Sequence, residues 1–185
     1  MKKIAVFASG NGSNAERIIT HFKNSDKAEI SLIASNRKEA FVLERAKKHG
    51  IPSWLFSKTD LTAGRVKEKL LQLNIDLVVL AGFLLKVPDD LVDAFPNRIV
   101  NIHPALLPKF GGKGMYGKFV HQAVKEKGEI RTGITVHYVN KQYDEGEVIF
   151  QKSIAVLPED SPEDIAEKVQ ELEHKLFPKV IEGLL

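Results

Sequence analysis

Lys3 to Ala15 reads KIAVFASGNGSNA. An unbroken apolar run, Ile4 to Ala8, leads into two glycines set among Ser9, Asn11, Ser13 and Asn14, where a helical pattern begins. A short apolar run without polar alternation is what a strand buried on both faces of a parallel sheet requires. The glycines allow close backbone approach to an anion, and a helix amino terminus supplies free N–H groups and a partial positive charge. The stretch is therefore one strand–turn–helix unit, and the fold class depends on whether that unit repeats.

It does repeat. Lys3–Ala8, Glu29–Ala34, Ser53–Phe56, Asp76–Leu80 and Arg98–Ile102 are predicted strands, rich in Val and Ile. Amphipathic segments at Asn14–Lys23, Ala40–His49, Thr62–Leu73 and Pro88–Phe95 are predicted helices between them. Such alternation implies a mostly parallel sheet with helices on both faces, a Rossmann-like α/β domain. Beyond Leu107 the pattern changes: Thr132–Val139 alternates, Tyr143–Gly146 is a turn, and Glu147–Ala155 follows with no room for a crossover helix. The sheet is thus expected to be mixed, with an antiparallel addition at one end. Ser161-Pro162-Glu163-Asp164 starts a last helix, with a capping serine, proline at the first helical position and acids in the first turn. Its stripe of Ile165, Val169, Leu172, Leu176 and Val180 carries it to about Ile181. One domain over residues 1–185 is expected, with no linker, repeat or low-complexity tract.

Composition narrows the function. The 185 residues carry a net charge of +3 from scattered lysines, and basic residues are not clustered as nucleic-acid binding requires. With no cysteine, disulfides, thiolate catalysis and cysteine zinc sites are excluded. No metal-ligating cluster stands out. The first apolar run is too short for a signal peptide or a membrane span, so a cytoplasmic protein without membrane association is expected.

Gly10-Asn11-Gly12-Ser13-Asn14 also fits the loose dinucleotide pattern G-x-G-x-x-A. NAD binders place an acid after the second strand, whereas this chain has Ala34-Ser35-Asn36-Arg37-Lys38. NAD is disfavoured, NADP could tolerate the arginine, and a phosphate-binding turn is the preferred reading.

The second informative stretch is Ile99 to Phe110, IVNIHPALLPKF. Asn101 and His103 stand two apart at a strand end, so they face the same side. Ligands of open parallel sheets collect beyond the carboxyl ends of the strands, and Gly82-Phe83 also lies there. Asp144, before Gly146, completes a set: an amide donor, a proton shuttle and a carboxylate. Among the other histidines, His21 and His49 are read as surface residues, His137 and His174 have no comparable setting, and His121 opens an amphipathic stretch near the same loop.

SGNGSN, LAGFLLKVP, NIHPALLPKF, GITVHYV followed by YDEGEVIFQ, and KVQELEHKLFP occur in that order. With them the chain resembles, from Lys3 to about Ile181, the folate-dependent phosphoribosylglycinamide formyltransferases. The resemblance implies formyl transfer from 10-formyltetrahydrofolate, as co-substrate and without a metal, to the amine of glycinamide ribonucleotide in purine synthesis. It implies Asn101, His103 and Asp144 as catalytic residues. Gly10, Asn11, Gly12, Ser13 and Asn14 would form the phosphate site, and Gln170 and Glu173, three apart on one helical face, would reach the ribose or glycinamide. Folate would lie against Phe83, Leu84 and Leu85, with Val139, Asn140, Lys141 and Tyr143 in the opposite wall. The phosphate-binding half would span about 1–100 and the folate and catalytic half about 80–185, in a monomer or homodimer. Three features depart from the family pattern: a longer segment between Pro108 and His121, Lys141 where an acid is usual, and Leu85 where a basic residue is frequent. A methionyl-tRNA formyltransferase is expected to carry a further carboxy-terminal domain, and a formyltetrahydrofolate hydrolase an amino-terminal one. A non-catalytic nucleotide-binding module would have no need of Asn101, His103 and Asp144 together.

Overall fold

The computed structural model describes every residue from Met1 to Leu185. Its centre is β1 (Lys2–Phe7), the strand that opened the sequence. Ile4 and Val6 enter one hydrophobic core while Ala5 and Phe7 enter the other, which is why the run shows no polar alternation. The remaining strands are β2 (Ala28–Ser35), β3 (Ser53–Leu55), β4 (Leu77–Leu80), β5 (Ile99–His103), β6 (Arg131–Tyr138) and β7 (Val148–Ala155). They form one sheet in the order β3-β2-β1-β4-β5-β6-β7. Pairings from β3 through β5 are parallel, and β6 runs antiparallel to both β5 and β7. The predicted mixed α/β sheet with an antiparallel end is the observed one.

Helices α1 (Ser13–Phe22), α2 (Val42–Lys48) and α5 (Asp89–Ala94) lie where the patterns place them. A short helix α3 (Lys58–Thr62) that the hydrophobic pattern did not mark precedes the predicted Thr62–Leu73 helix, which is observed as α4 (Arg65–Gln72), starting three residues later. Ser57 caps the first with a capping box, and Gly64, at φ 80°, separates them. A helix α6 (Lys118–Glu126) links β5 to β6. The last helix, α7, runs Pro162–Gly183 from a Ser161–Asp164 capping box.

The stripe of α7 is rotated from its predicted position. Ile165, Val169, Phe177 and Ile181 are its buried core residues, and Leu172, Leu176 and Val180 flank them half-buried. Glu173 occupies the middle of the buried stripe. No helix is long and apolar enough to cross a membrane.

Because β1 lies between β2 and β4, chain connections leave its two sides in opposite directions. The crevice beyond the strand ends at such a reversal is where open α/β sheets hold ligands. The Gly10–Asn14 loop follows β1 and Gly82–Leu85 follows β4. Ser9 joins the two: its N–H donates to the Gly82 carbonyl and its hydroxyl accepts from the Leu84 N–H.

Candidate functional site

Beyond the strand ends lies a cavity of about 680 Å³. Asn14, Gln170 and Glu173 line one side, Asn101, His103 and Asp144 another, and Gly112 to Lys118 with His121 a third.

At the first side, α1 begins on Gly12, which at φ 73° offers no capping side chain. The backbone N–H groups of Gly10, Asn11, Gly12, Ser13 and Asn14 donate to no protein acceptor. The carbonyls of Gly10, Asn11 and Gly12 are occupied. Gly10 O receives the Val42 N–H, Arg45 donates to both Asn11 O and Asn11 Oδ1, and Gly12 O receives the Glu16 N–H. A side chain at Gly12 would run into Val42. The result is a row of free donors on a fixed backbone, at the positive end of a helix.

Gln170 Nε2 lies 3.4 Å from Ser13 Oγ, and Asn14 Nδ2 donates to Glu173 Oε2 at 2.8 Å. Glu173 is only 9% exposed, so it is not on a solvated face. Burial pushes its carboxyl up to about 7, against the pull of the Asn14 amide. Asn14 Oδ1 is buried without a partner.

At the second side, Asn101 and His103 project from the same face of β5, while Val100 and Ile102 enter the core on the other. His103 Nε2 donates to Phe110 O at 2.7 Å, and its Nδ1 lies 3.6 Å from Asp144 Oδ2. Burial holds the ring below the ordinary histidine range, against the opposing effects of Asp144 and the Phe110 carbonyl. Asp144 sits at φ 54° in the turn and accepts the Gly112 N–H at 2.9 Å. Burial raises its carboxyl, but opposing contacts, His103 and the Gly112 N–H among them, outweigh burial and hold it low. Gly146 fixes that turn from behind, since a side chain there would overlap the Tyr138 carbonyl.

The sequence reading missed His137. It stands directly opposite Asn101 in the β5–β6 ladder, as Thr135 stands opposite His103. Its Nε2 is 3.1 Å from Asn101 Nδ2 and 3.6 Å from Asp144 Oδ1. The alternation of GITVHYV already set Thr135 and His137 on one face of a strand. The missing signal was the pairing register, which brings that face beside Asn101. His121, buried on α6, also lines the cavity, and its Nδ1 has no partner. His21 is exposed and bonds Glu182, whereas His49 is only half-exposed, 2.7 Å from Glu16.

The wall residues separate into two groups. Phe83, Leu84, Leu85, Val139, Asn140 and Tyr143 line a smaller cleft adjoining the cavity, together with Asn101, His137 and Asp144. Lys141 does not line either space. Its ammonium reaches across to Asp93 of α5 at 2.9 Å, outside the cleft. No group of three or more His, Asp or Glu side chains is arranged to hold a metal ion.

A family model described as formyl transferase matches residues 2–181. A chloroplastic phosphoribosylglycinamide formyltransferase from Arabidopsis thaliana is 43% identical over 97% of this chain and 64% of its own length, so this chain spans just under two thirds of that plant protein. A phosphoribosylglycinamide formyltransferase from Bacillus subtilis is 39% identical over 100% of this chain and 95% of its own. Among solved structures, a glycinamide ribonucleotide transformylase 1 from Geobacillus kaustophilus superposes with a TM-score of 0.91 at 36% identity, covering 100% of this chain and 99% of that one.

Proposed function

This chain belongs to the formyl transferase family, and on that premise we propose that it moves the formyl group of 10-formyltetrahydrofolate onto the amine of glycinamide ribonucleotide, a step of purine synthesis. The observation that carries the reading is the juxtaposition of the two sides of the cavity. Asn14, the last of a row of free N–H donors suited to a phosphate, lines one space with an amide, an imidazole and a carboxylate suited to acyl transfer, and Gly10 to Ser13 adjoin that space along the chain.

Each group then has a task. The Gly10–Asn14 donors hold the phosphate, while Gln170 and Glu173 meet the ribose or glycinamide. The apolar cleft of Phe83, Leu84, Leu85 and Val139 suits a flat heteroaromatic ring, with Asn140 and Tyr143 at its edge. We leave Lys141 out of that wall because its ammonium is engaged with Asp93. When the amine attacks the formyl carbon, the new N–C bond forms as the carbonyl electrons move onto oxygen. The free N–H of Asn101 stabilises that oxyanion. Removing one such donor typically costs about 100- to 1,000-fold in rate. Asp144, held ionised, draws the proton from the attacking amine, directly or through water, and passes it to Nδ1 of the neutral His103 ring. His103 then delivers that proton to the folate nitrogen as its bond to the formyl carbon breaks, which leaves Asp144 ionised and His103 neutral again. The expected halves, about 1–100 and about 80–185, belong to this proposal with one amendment. Gln170 and Glu173 bond Ser13 and Asn14, so both ends of the chain build the phosphate side.

The test is formyl transfer by purified protein supplied with both substrates, followed by the absorbance change as tetrahydrofolate forms, with the ribonucleotide omitted in a control. Consumption that requires the ribonucleotide is the expected result. Equal consumption without it would make the protein a hydrolase, and no consumption in either case would overturn the assignment.

A further inference from the structure

We propose that His137 is a positioning residue that orients the Asn101 amide for oxyanion stabilisation, an inference that rests on the function proposed above. His137 Nδ1 lies 2.8 Å from the Tyr138 carbonyl oxygen, which can only accept, so Nδ1 carries a proton. The neutral ring therefore presents a lone pair at Nε2. Asn101 meets that lone pair with its amide nitrogen at 3.1 Å, and the reverse orientation would set two acceptors against each other. The backbone of Tyr138 thus fixes the tautomer of His137, and the tautomer fixes which end of the Asn101 amide is held. One N–H of the amide is engaged, and the other remains for the cavity that Asn101 lines.

Two features keep the arrangement in place. The ring is 2% exposed, so water does not compete for Nε2. Asn101 and His137 are also opposed in the ladder, so backbone hydrogen bonds set their separation. Asp144 Oδ1, at 3.6 Å from Nε2, is beyond hydrogen-bond reach in this arrangement. A doubly protonated ring would instead favour Asp144 and turn the amide oxygen toward His137.

Two measurements test the assignment. Long-range 1H–15N spectra of the labelled protein should show His137 Nδ1 protonated and Nε2 as an unprotonated acceptor, with the signals identified by their loss in His137→Phe. In turnover, His137→Phe should lower kcat about 100-fold, the scale of one oxyanion donor, and leave KM for both substrates within about twofold. His137→Gln, which restores an acceptor oxygen, should recover about tenfold of that loss, a rescue that a purely structural role would not produce. A protonated Nε2 would overturn the proposal, as would a His137→Phe enzyme retaining about a third or more of the wild-type kcat. Failure of the wild-type protein to transfer formyl groups would count against the proposed function instead, and the tautomer spectra would still decide the role of His137.

Discussion

Two glycine-bearing segments border the cavity and differ in how they are held. In Gly10–Asn14 the carbonyls and side chains are tied down by Val42, Arg45, Gln170 and Glu173, and Gly12 is packed against Val42. In Gly111–Gly117, only Gly111 is packed closely, against Leu107 and Asp144. A side chain built at Gly112, Gly114 or Gly117 would meet nothing. The first segment has its donors fixed before any ligand arrives, so binding costs little ordering entropy. The second is anchored at its base by Gly112 N–H on Asp144 and has space around the rest. Few packed neighbours mean a low cost of local opening. In the proposed function the first segment would therefore bind and the second cover, with His103 and Asp144, the proposed catalytic pair, at the foot of the cover.

The most damaging substitutions should fall at that foot. His103→Ala and Asp144→Asn are each expected to lower kcat by about 100- to 10,000-fold, the range of general acid–base contributions. Asp144→Asn weakens the acceptor of the Gly112 N–H and His103→Ala removes the donor to the Phe110 carbonyl, so limited proteolysis should cut the Gly111–Gly117 segment faster in each variant than in wild type. Near-wild-type turnover in either variant would remove that residue from the mechanism, and cleavage of both at the wild-type rate would detach the cover from the catalytic pair.

Gly12→Ala probes the rigid segment directly. A residue with a Cβ is strained at φ 73°, and the new methyl would also displace Val42. Backbone strain of about 1–2 kcal/mol plus overpacking of about 1–3 kcal/mol should lower stability by a few kcal/mol. Because the free donors move with the backbone, KM for the ribonucleotide should rise more than KM for the folate. A uniform rise in both would argue against a phosphate role for this loop.

How much of this was legible in the sequence depended on range. β1 and its glycine turn are local features, read from apolar run and residue type, and so are Asn101 and His103, two apart on one strand. The features that escaped depend on tertiary pairing. His137 needed the β5–β6 register, and the burial of Glu173, a residue named through the family resemblance, needed the rotation of α7 that puts a carboxylate in the centre of a buried stripe. The family resemblance set Lys141 in the folate wall, but a four-carbon stem lets its ammonium reach Asp93. Gly64, at φ 80°, starts α4 three residues later than hydrophobic spacing alone placed it.

Glu173 sharpens the account of the rigid segment because it anchors Asn14 while buried. Its folded carboxyl lies near 7 against an ordinary 4.5, so the folded state binds the proton more tightly. The stabilisation from this group is full below about pH 4.5 and is lost as pH rises through about 7. Its span is about 3 kcal/mol, from about 1.36 kcal/mol for each pH unit of displacement. Urea unfolding of Glu173→Gln should therefore depend less on pH between 5 and 8 than that of wild type. Identical profiles would mean that Glu173 is solvated and free of Asn14.

Gly114→Ala should have the smallest effect, and it is the sharpest control for Gly12→Ala. Both glycines have positive φ, 88° at Gly114 and 73° at Gly12, so local strain of about 1 kcal/mol is common to them. They differ in their surroundings: nothing lies within 4 Å of a Cβ built at Gly114. The neighbouring backbone can relax there, and no ligand donor is expected to move with it. Gly114→Ala should shift Tm by no more than a few degrees, as about 1 kcal/mol does in a domain of this size. Both KM values should stay within about twofold, a free-energy change well under about 1 kcal/mol. A loss in ribonucleotide affinity as large as that of Gly12→Ala would mean that the Gly111–Gly117 segment is itself fixed against the ligand, and the division between a rigid binding loop and a free cover would no longer hold.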